Sequence, residues 1–271
     1  SDYESIVEMN RLCNDYGLDT ISVGATLACM AEIEGRRIPP HKLVELTKLV
    51  CENEGVGAEL ALCAKRFAEL RGKPDAAMHV KGLELPGYDP RGVKGMALGY
   101  GTSNRGGCHL RAYMVSPEIL RKPKAIDRSS LDGKAGYLFV FQNRFAYVDS
   151  LVLCKFLFFA VSDDEVSKLA AAATGVEFTA EELMKIGERI WNLERLYNIA
   201  CGFTRSDDFL PRRFYTEAST ESPVGQPINR DEYSRALTEY YTCRGWDEQG
   251  VPTDGKLKEL GIEPKRSRSA A

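Results

Sequence analysis

The 271-residue chain has no CxxC pair, no long apolar run, only three histidines and two tryptophans, and a formal net charge of just −3. Each scarcity excludes something. The cysteines, at positions 13, 29, 51, 63, 108, 154, 201 and 243, stand singly, so neither a self-contained zinc site nor a complete iron–sulfur site is encoded. Most of them are expected in the core as small hydrophobes. The longest strongly apolar run, Phe156 to Val161, is far short of the roughly 20 residues that span a bilayer. The N-terminus lacks a charged start followed by an apolar stretch and a small-residue cleavage site, which makes the cytoplasm the expected compartment. Near-neutral charge gives no electrostatic footing for nucleic acid or an anionic membrane surface. The closing KRSRSAA is expected to be disordered and too short for nucleic-acid recognition.

What is present is an ordinary globular composition, 44% hydrophobic and 28% charged, long enough for one large or two ordinary domains. Ile6, Met9, Leu12, Cys13 and Tyr16 recur at helical spacing until Gly17 stops them. Asp19 can cap a second helix, whose Ser22, Gly24, Ala25, Ala28 and Ala31 permit close packing. Two more helical patterns follow: Leu43, Leu46, Leu49 and Val50 behind Pro39 and Pro40, then Leu60, Cys63, Phe67 and Leu70 after Gly55 and Gly57. GKPD, Gly72 to Asp75, reads as a connector, with a domain boundary near Met78.

From Lys81 to Gly107 glycine and proline recur too often for a long regular element, and suit backbone that approaches a ligand or another segment. Further helices are expected over about Ala135 to Val161, from a cap at Asp163 to Gly175, and from a Thr179–Glu182 capping box along a stripe of Leu183, Ile186, Ile190, Leu193 and Tyr197. A last one runs from Asp231 to Arg244, before RGWDEQGVPT, an ordered turn with a tryptophan anchor. No run alternates like a strand. The expected fold is mainly α-helical: two packed helical domains, residues 1–78 and 79–271, with an irregular glycine-rich connecting region.

Two stretches share a skeleton. NDYGLD, Asn14 to Asp19, and DSLVLC, Asp149 to Cys154, both read [N/D]-x-x-x-L-[D/C] at expected helix ends or turns. Free N–H groups and a carboxylate at such a place can hold a polar heterocycle, since a carboxylate accepts two hydrogen bonds from a guanidine-like edge. From spacing alone the simpler reading is preferred, in which Asp19 caps a helix and Asp149 pairs with a neighbouring arginine. Cys154 alone, beside Leu and Phe, reads as a small buried hydrophobe rather than a ligand.

The stretches NDYGLDTISVG, HVKGLELPGYDPRGVKGMALGYGTSNRGGCHLRAY, DSLVLCKF and YYTCRGWDEQGVPTDGKLKELGI, in this order, resemble the tungsten-containing aldehyde ferredoxin oxidoreductases over nearly the whole chain. The resemblance implies the C-terminal part of such an enzyme, most of its second domain and all of its third, packing on an N-terminal β-rich domain that this sequence does not contain. It implies a bis-pterin tungsten (or molybdenum) cofactor and a [4Fe-4S] cluster, both only in the complete enzyme, with ferredoxin or another electron-transfer protein as acceptor and a small aldehyde as substrate. A homodimer is compatible with the family.

Residue by residue, the resemblance assigns one pterin to Asn14, Leu18 and Asp19 and the other to Asp149, Leu153 and Cys154. Asn14 replaces the usual leading acid with a weaker neutral amide, and Val152 stands where the pattern has glycine. Cys154 becomes the fourth thiolate of the cluster, with Lys155 placed to offset charge. Arg105 and Gly106 face the pterin or its phosphate, and His109 lies beside the metal to hydrogen-bond an oxygen and pass a proton. Cys108 reads as packing, His79 as a structural hydrogen bond and His41 as exposed. Glu8 to Arg11 ends in arginine where some relatives carry a metal-binding histidine, so no bridging metal is expected. The isolated chain is expected to be inactive and prone to association through its exposed apolar face. The alternatives are a helical binding or assembly module without redox activity, or a subunit of the related aromatic thioester reductases.

Overall fold

The computed structural model describes residues 2–219 and 225–263; the KRSRSAA tail lies outside the described residues. It is mainly helical, as expected. The first part comprises α1 (Tyr3–Tyr16), α2 (Thr20–Ile33), α3 (Pro40–Glu52), α4 (Val56–Leu60) and α5 (Cys63–Leu70). A two-residue antiparallel hairpin follows, β1 (His79–Val80) with β2 (Leu83–Glu84). The second part holds α6 (Lys94–Thr102), α7 (Lys134–Ser150), α8 (Asp163–Thr174), α9 (Ala180–Ala200), α10 (Arg213–Thr216), α11 (Arg230–Arg244) and α12 (Asp254–Glu259).

Two main apolar cores form on either side of residue 78. Leu27, Met30, Leu46, Val50, Leu60 and Phe67 build the first as α1 packs on α3 and α2 on α5. Met96, Tyr100, Leu138, Trp191, Tyr233 and Tyr240 build the second, where α7 and α9 pack along their lengths and α11 closes the side. The α7–α9 crossing is close enough to require glycine: a Cβ at Gly187 would lie 1.9 Å from the Asn143 carbonyl oxygen.

Several local expectations change. The Leu60–Leu70 pattern is broken into α4 and α5, because Cys63 adopts φ +67° at the join. The glycine-rich region contains the nine-residue α6, with Gly95 to Thr102 all buried. Glycine suits this helix through sterics, since a Cβ at Gly101 would sit 1.9 Å from the Tyr233 hydroxyl. The Glu118 carboxylate caps it, accepting from the Gly95 N–H at 2.8 Å while paired with Lys134 at 2.7 Å. The helix expected to reach Val161 ends at Ser150, and a short 3-10 turn occupies Lys155–Phe159. The cap of α8 is Ser162, in a box with Glu165, rather than Asp163.

On α9 the Thr179–Glu182 capping box is present. Its buried line, however, is Leu183, Gly187, Trp191, Arg195 and Asn198, whereas Tyr197 is 71% exposed. An apolar stripe misplaces this face because three buried positions, Asn192, Arg195 and Asn198, are polar. Arg195 and Lys81 grip the Asp208 carboxylate at 3.0 and 2.7 Å, and Tyr241 donates to it. Burial alone would raise the Asp208 carboxyl, but the two cations outweigh it and hold it below its ordinary range. Arg244, fully buried, donates to neutral oxygens of Gln142 and Tyr240 at 2.7 and 2.9 Å. Trp246 anchors the last turn, donating to Asn192 Oδ1 at 2.7 Å.

The cysteines are less buried than expected. Cys13, Cys29 and Cys108 are core residues, Cys51 and Cys63 are half-buried, and Cys154, Cys201 and Cys243 are exposed.

Candidate functional site

The two rhyming stretches fold into the same backbone device. α1 ends when Gly17 enters the left-handed region (φ +70°); its N–H reaches the Asn14 carbonyl, and the Leu18 N–H bonds the Cys13 carbonyl at 2.8 Å. After α7, Val152 enters the same region (φ +57°); its N–H bonds the Asp149 carbonyl at 3.0 Å and the Leu153 N–H bonds the Val148 carbonyl at 3.2 Å. Both are helix C-terminal caps with paired crossed hydrogen bonds, of the kind glycine ordinarily completes. Each leucine then tucks against a core, Leu18 against the first and Leu153 against the cluster of Tyr147, Val148, Val166 and Leu183. Each final residue starts the next helical turn: Asp19 caps α2, accepting from the Ser22 N–H at 2.8 Å, and the Cys154 carbonyl accepts from Leu157 at 3.0 Å.

The groups on the turns differ. Asn14 is exposed and its amide donates to the Asn10 carbonyl at 2.8 Å, a bond within its own helix. Asp19 lines a largely apolar cleft of about 190 Å³ with Leu18, Ser22, Thr26 and Cys63. The Ser22 hydroxyl donates to the buried Glu84 at 2.7 Å, tying this turn to the hairpin. In the second turn the Asp149 carboxylate meets Lys155 at 2.9 Å and Arg111 at 3.3 Å. Thus Asp19 does cap a helix and Asp149 does pair with an arginine, while both keep carboxylate surface on the exposed side of a turn.

The hairpin also supports the loop after α6. Gly106 (φ +110°) and Gly107 lie against it: a Cβ on either would come within 2.7 Å of the Val80 or Leu83 carbonyl oxygen. Their lack of side chains is therefore explained by the hairpin. Arg105 is exposed, with its guanidinium 3.9 Å from the buried Cys108 sulfur. His109 is half-buried and packs with Tyr88 and Tyr113, at ring separations of 5.6 and 6.2 Å. The Tyr88 and Tyr113 hydroxyls are 3.2 Å apart, and Tyr113 continues into Phe156 and Phe159. Burial, then the positive charges of Lys155 and Arg105, lower the His109 pKa, so its imidazole is neutral at pH 7. His79 accepts from the Gly82 N–H at 3.3 Å and His41 is exposed.

The structure therefore gathers Arg105, His109, Asp149 and Lys155 around one region, with Cys154 at its exposed edge. Asp19 is tied to it through Ser22, Glu84 and the hairpin rather than by direct contact, and the Asn14 amide stays bonded within α1. Tyr88 and Arg111 lay inside a stretch that the resemblance had marked, without being singled out. Glu194, on α9, carries no sequence signal. Among the described residues no cluster of three or more His, Cys, Asp or Glu could hold a metal ion unaided, and no helix is long and apolar enough to cross a membrane.

Comparison with known proteins identifies the family of this helical scaffold. Residues 1–262 match the family model for aldehyde ferredoxin oxidoreductase, domains 2 and 3, and the chain belongs to that family. It is 43% identical over 280 residues to the tungsten-containing aldehyde ferredoxin oxidoreductase of Pyrococcus furiosus and 41% identical over 279 residues to that of Thermococcus kodakarensis. Each alignment covers 97% of this chain and 46% of the relative, so the chain spans about half their length. An aliphatic sulfonate oxidoreductase, WOR-like subunit, of Pyrococcus furiosus is 28% identical over 291 residues, covering 97% of this chain and 43% of the relative. A chain of the BamBC active-site complex of benzoyl coenzyme A reductase with 1,5-dienoyl-CoA shares the fold at 19% identity, with a TM-score of 0.75 over 97% of this chain and 47% of that one.

Proposed function

We propose that this chain is the cofactor-facing helical half of an aldehyde oxidoreductase, with its two matched turns each holding one pterin of a tungsten bis-pterin group. The carrying observation is the identity of the two caps: two stretches 135 positions apart, Asn14 and Asp149 leading them, reach one geometry although one uses glycine and the other valine. The donor set suits the group. Asp19 and Asp149 accept from a guanidine-like edge, the first turn of α2 adds N–H groups without helical partners, and exposed Arg105 offers a cation to a phosphate.

When bound, the tungsten group supplies two-electron redox chemistry at low potential. The overall reaction is an aldehyde plus water giving a carboxylic acid, two protons and two electrons. His109 is the residue suited to take one proton, because its imidazole is neutral at pH 7 and only half-buried. Its neighbours Tyr88 and Tyr113 orient it and form one wall of the approach. The Cys154 thiol is accessible, as a ligand to a shared cluster must be. A [4Fe-4S] cluster held by Cys154 would take its other three thiolates from outside these residues and would pass electrons singly to an acceptor such as ferredoxin. These residues offer such a cluster one accessible thiolate of the four it takes, so the chain by itself is expected not to turn over.

The test is metal content of the complete protein, produced anaerobically, with and without Cys154→Ser. About four irons with tungsten in the parent, and iron lost in the variant, is the expected result. Equal iron in both would remove Cys154 from the cluster, and neither metal in the parent would overturn the oxidoreductase reading.

A further inference from the structure

Asp149 belongs to a row of four charges that alternate in sign across four segments. Glu194 on α9 is followed by Arg111 beyond His109, then Asp149 at the end of α7, then Lys155 after the second turn. Arg111 is the shared member. Its Nη2 donates to the Glu194 carboxylate in a short contact, while Nη1 stands 3.3 Å from Asp149 Oδ2. The guanidinium lies over the Trp191 ring, 5.1 Å from its centroid, with the side chain only 12% exposed and its Nε lacking a partner. Lys155 makes its closest approach to the same Oδ2, at 2.9 Å.

A guanidinium grips a single carboxylate best with two parallel N–H bonds. Here Glu194 and the Trp191 face, both from α9, hold Arg111 so that it leans on one oxygen of Asp149 and leaves Oδ1 to another donor. We infer that Glu194 is a positioning residue for the second turn: by holding Arg111 it keeps the Asp149 carboxylate from being taken up by a two-oxygen arginine grip. The inference rests on the proposal that this turn receives a pterin edge. Loss of the Glu194 charge releases Arg111 onto Asp149, where it competes with the ligand's N–H groups.

The test uses the complete enzyme and measures pterin, as its fluorescent oxidation product, and tungsten per protomer. Parent, Glu194→Gln and the double variant Glu194→Gln with Arg111→Gln are compared, with helical circular dichroism confirming the fold of each. Glu194→Gln is expected to lose at least half its pterin and tungsten, and the double variant to recover most of the loss, a rescue that a purely structural role for Glu194 does not give. Full loading of Glu194→Gln, or failure of the folded double variant to recover, overturns the role of Glu194. A parent without pterin overturns the functional proposal instead.

Discussion

Val152 is the one non-glycine residue where the matched turns call for glycine, and replacing it tests whether the two caps are equivalent. A β-branched residue at φ +57° pays steric strain of about 1–2 kcal/mol. The side chain is 91% exposed, so Val152→Gly sacrifices almost no packing. Glycine raises the entropy of the unfolded chain at a cost of about 0.5–1 kcal/mol. The balance is a net stabilisation of about 0.5–1 kcal/mol, or about 2 °C in midpoint for a chain of this size. Gly17→Val is the mirror experiment: φ is +70° and nothing lies within 4 Å of the added Cβ, so strain acts there without a clash. It should destabilise by a similar amount. Urea unfolding followed by helical circular dichroism reads both, with slopes unchanged from the parent. Val152→Gly that destabilises, or Gly17→Val that is neutral, would refute the claim that both turns rest on one left-handed residue.

Gly187→Ala forces a Cβ against the Asn143 carbonyl at the α7–α9 crossing and should cost about 3 kcal/mol or more, visible as a large drop in urea midpoint. Asp208→Asn leaves Lys81 and Arg195 buried without their counter-charge, an expected loss of about 3–5 kcal/mol. The Asp208 carboxyl has a depressed pKa in the folded chain, so its contribution is present above the unfolded value near 3.8 and is lost as pH falls through the lower folded value. Acid unfolding of the parent should therefore steepen below about pH 4, and a parent equally stable at pH 2 and pH 6 would contradict this. His109 should titrate below the 6.5 of an ordinary imidazole by proton NMR, and Lys155→Gln, which removes one of the two cations depressing it, should raise the midpoint. No upward movement would show that Lys155 does not act on the imidazole.

Much of the helix plan was legible because it depends on local signals. The Thr179–Glu182 box, the Gly17 and Gly175 stops and the double proline that opens α3 act within a turn or two of chain. The stripe on α9 was misread because its buried face carries Arg195 and Asn198, whose partners Gly250, Asp208 and Asn104 come from distant segments. The nine residues of α6 were missed because its glycines answer to Tyr233 and Glu118, groups that the local sequence does not contain.

The same division holds at the candidate site. Sequence by itself determined the helical class and the family resemblance, and it is that resemblance which nominates Asn14, Asp19, Arg105, His109, Asp149 and Cys154, since motifs and capping chemistry are written in neighbouring residues. Only the tertiary structure decided that glycine and valine complete one kind of cap, that Gly106 answers to a hairpin, and that Arg111 stands between Asp149 and Glu194. The physical reason is range. A cap closes within six residues, whereas an ion pair joining positions 111, 149 and 194 exists only after three segments have packed around Trp191.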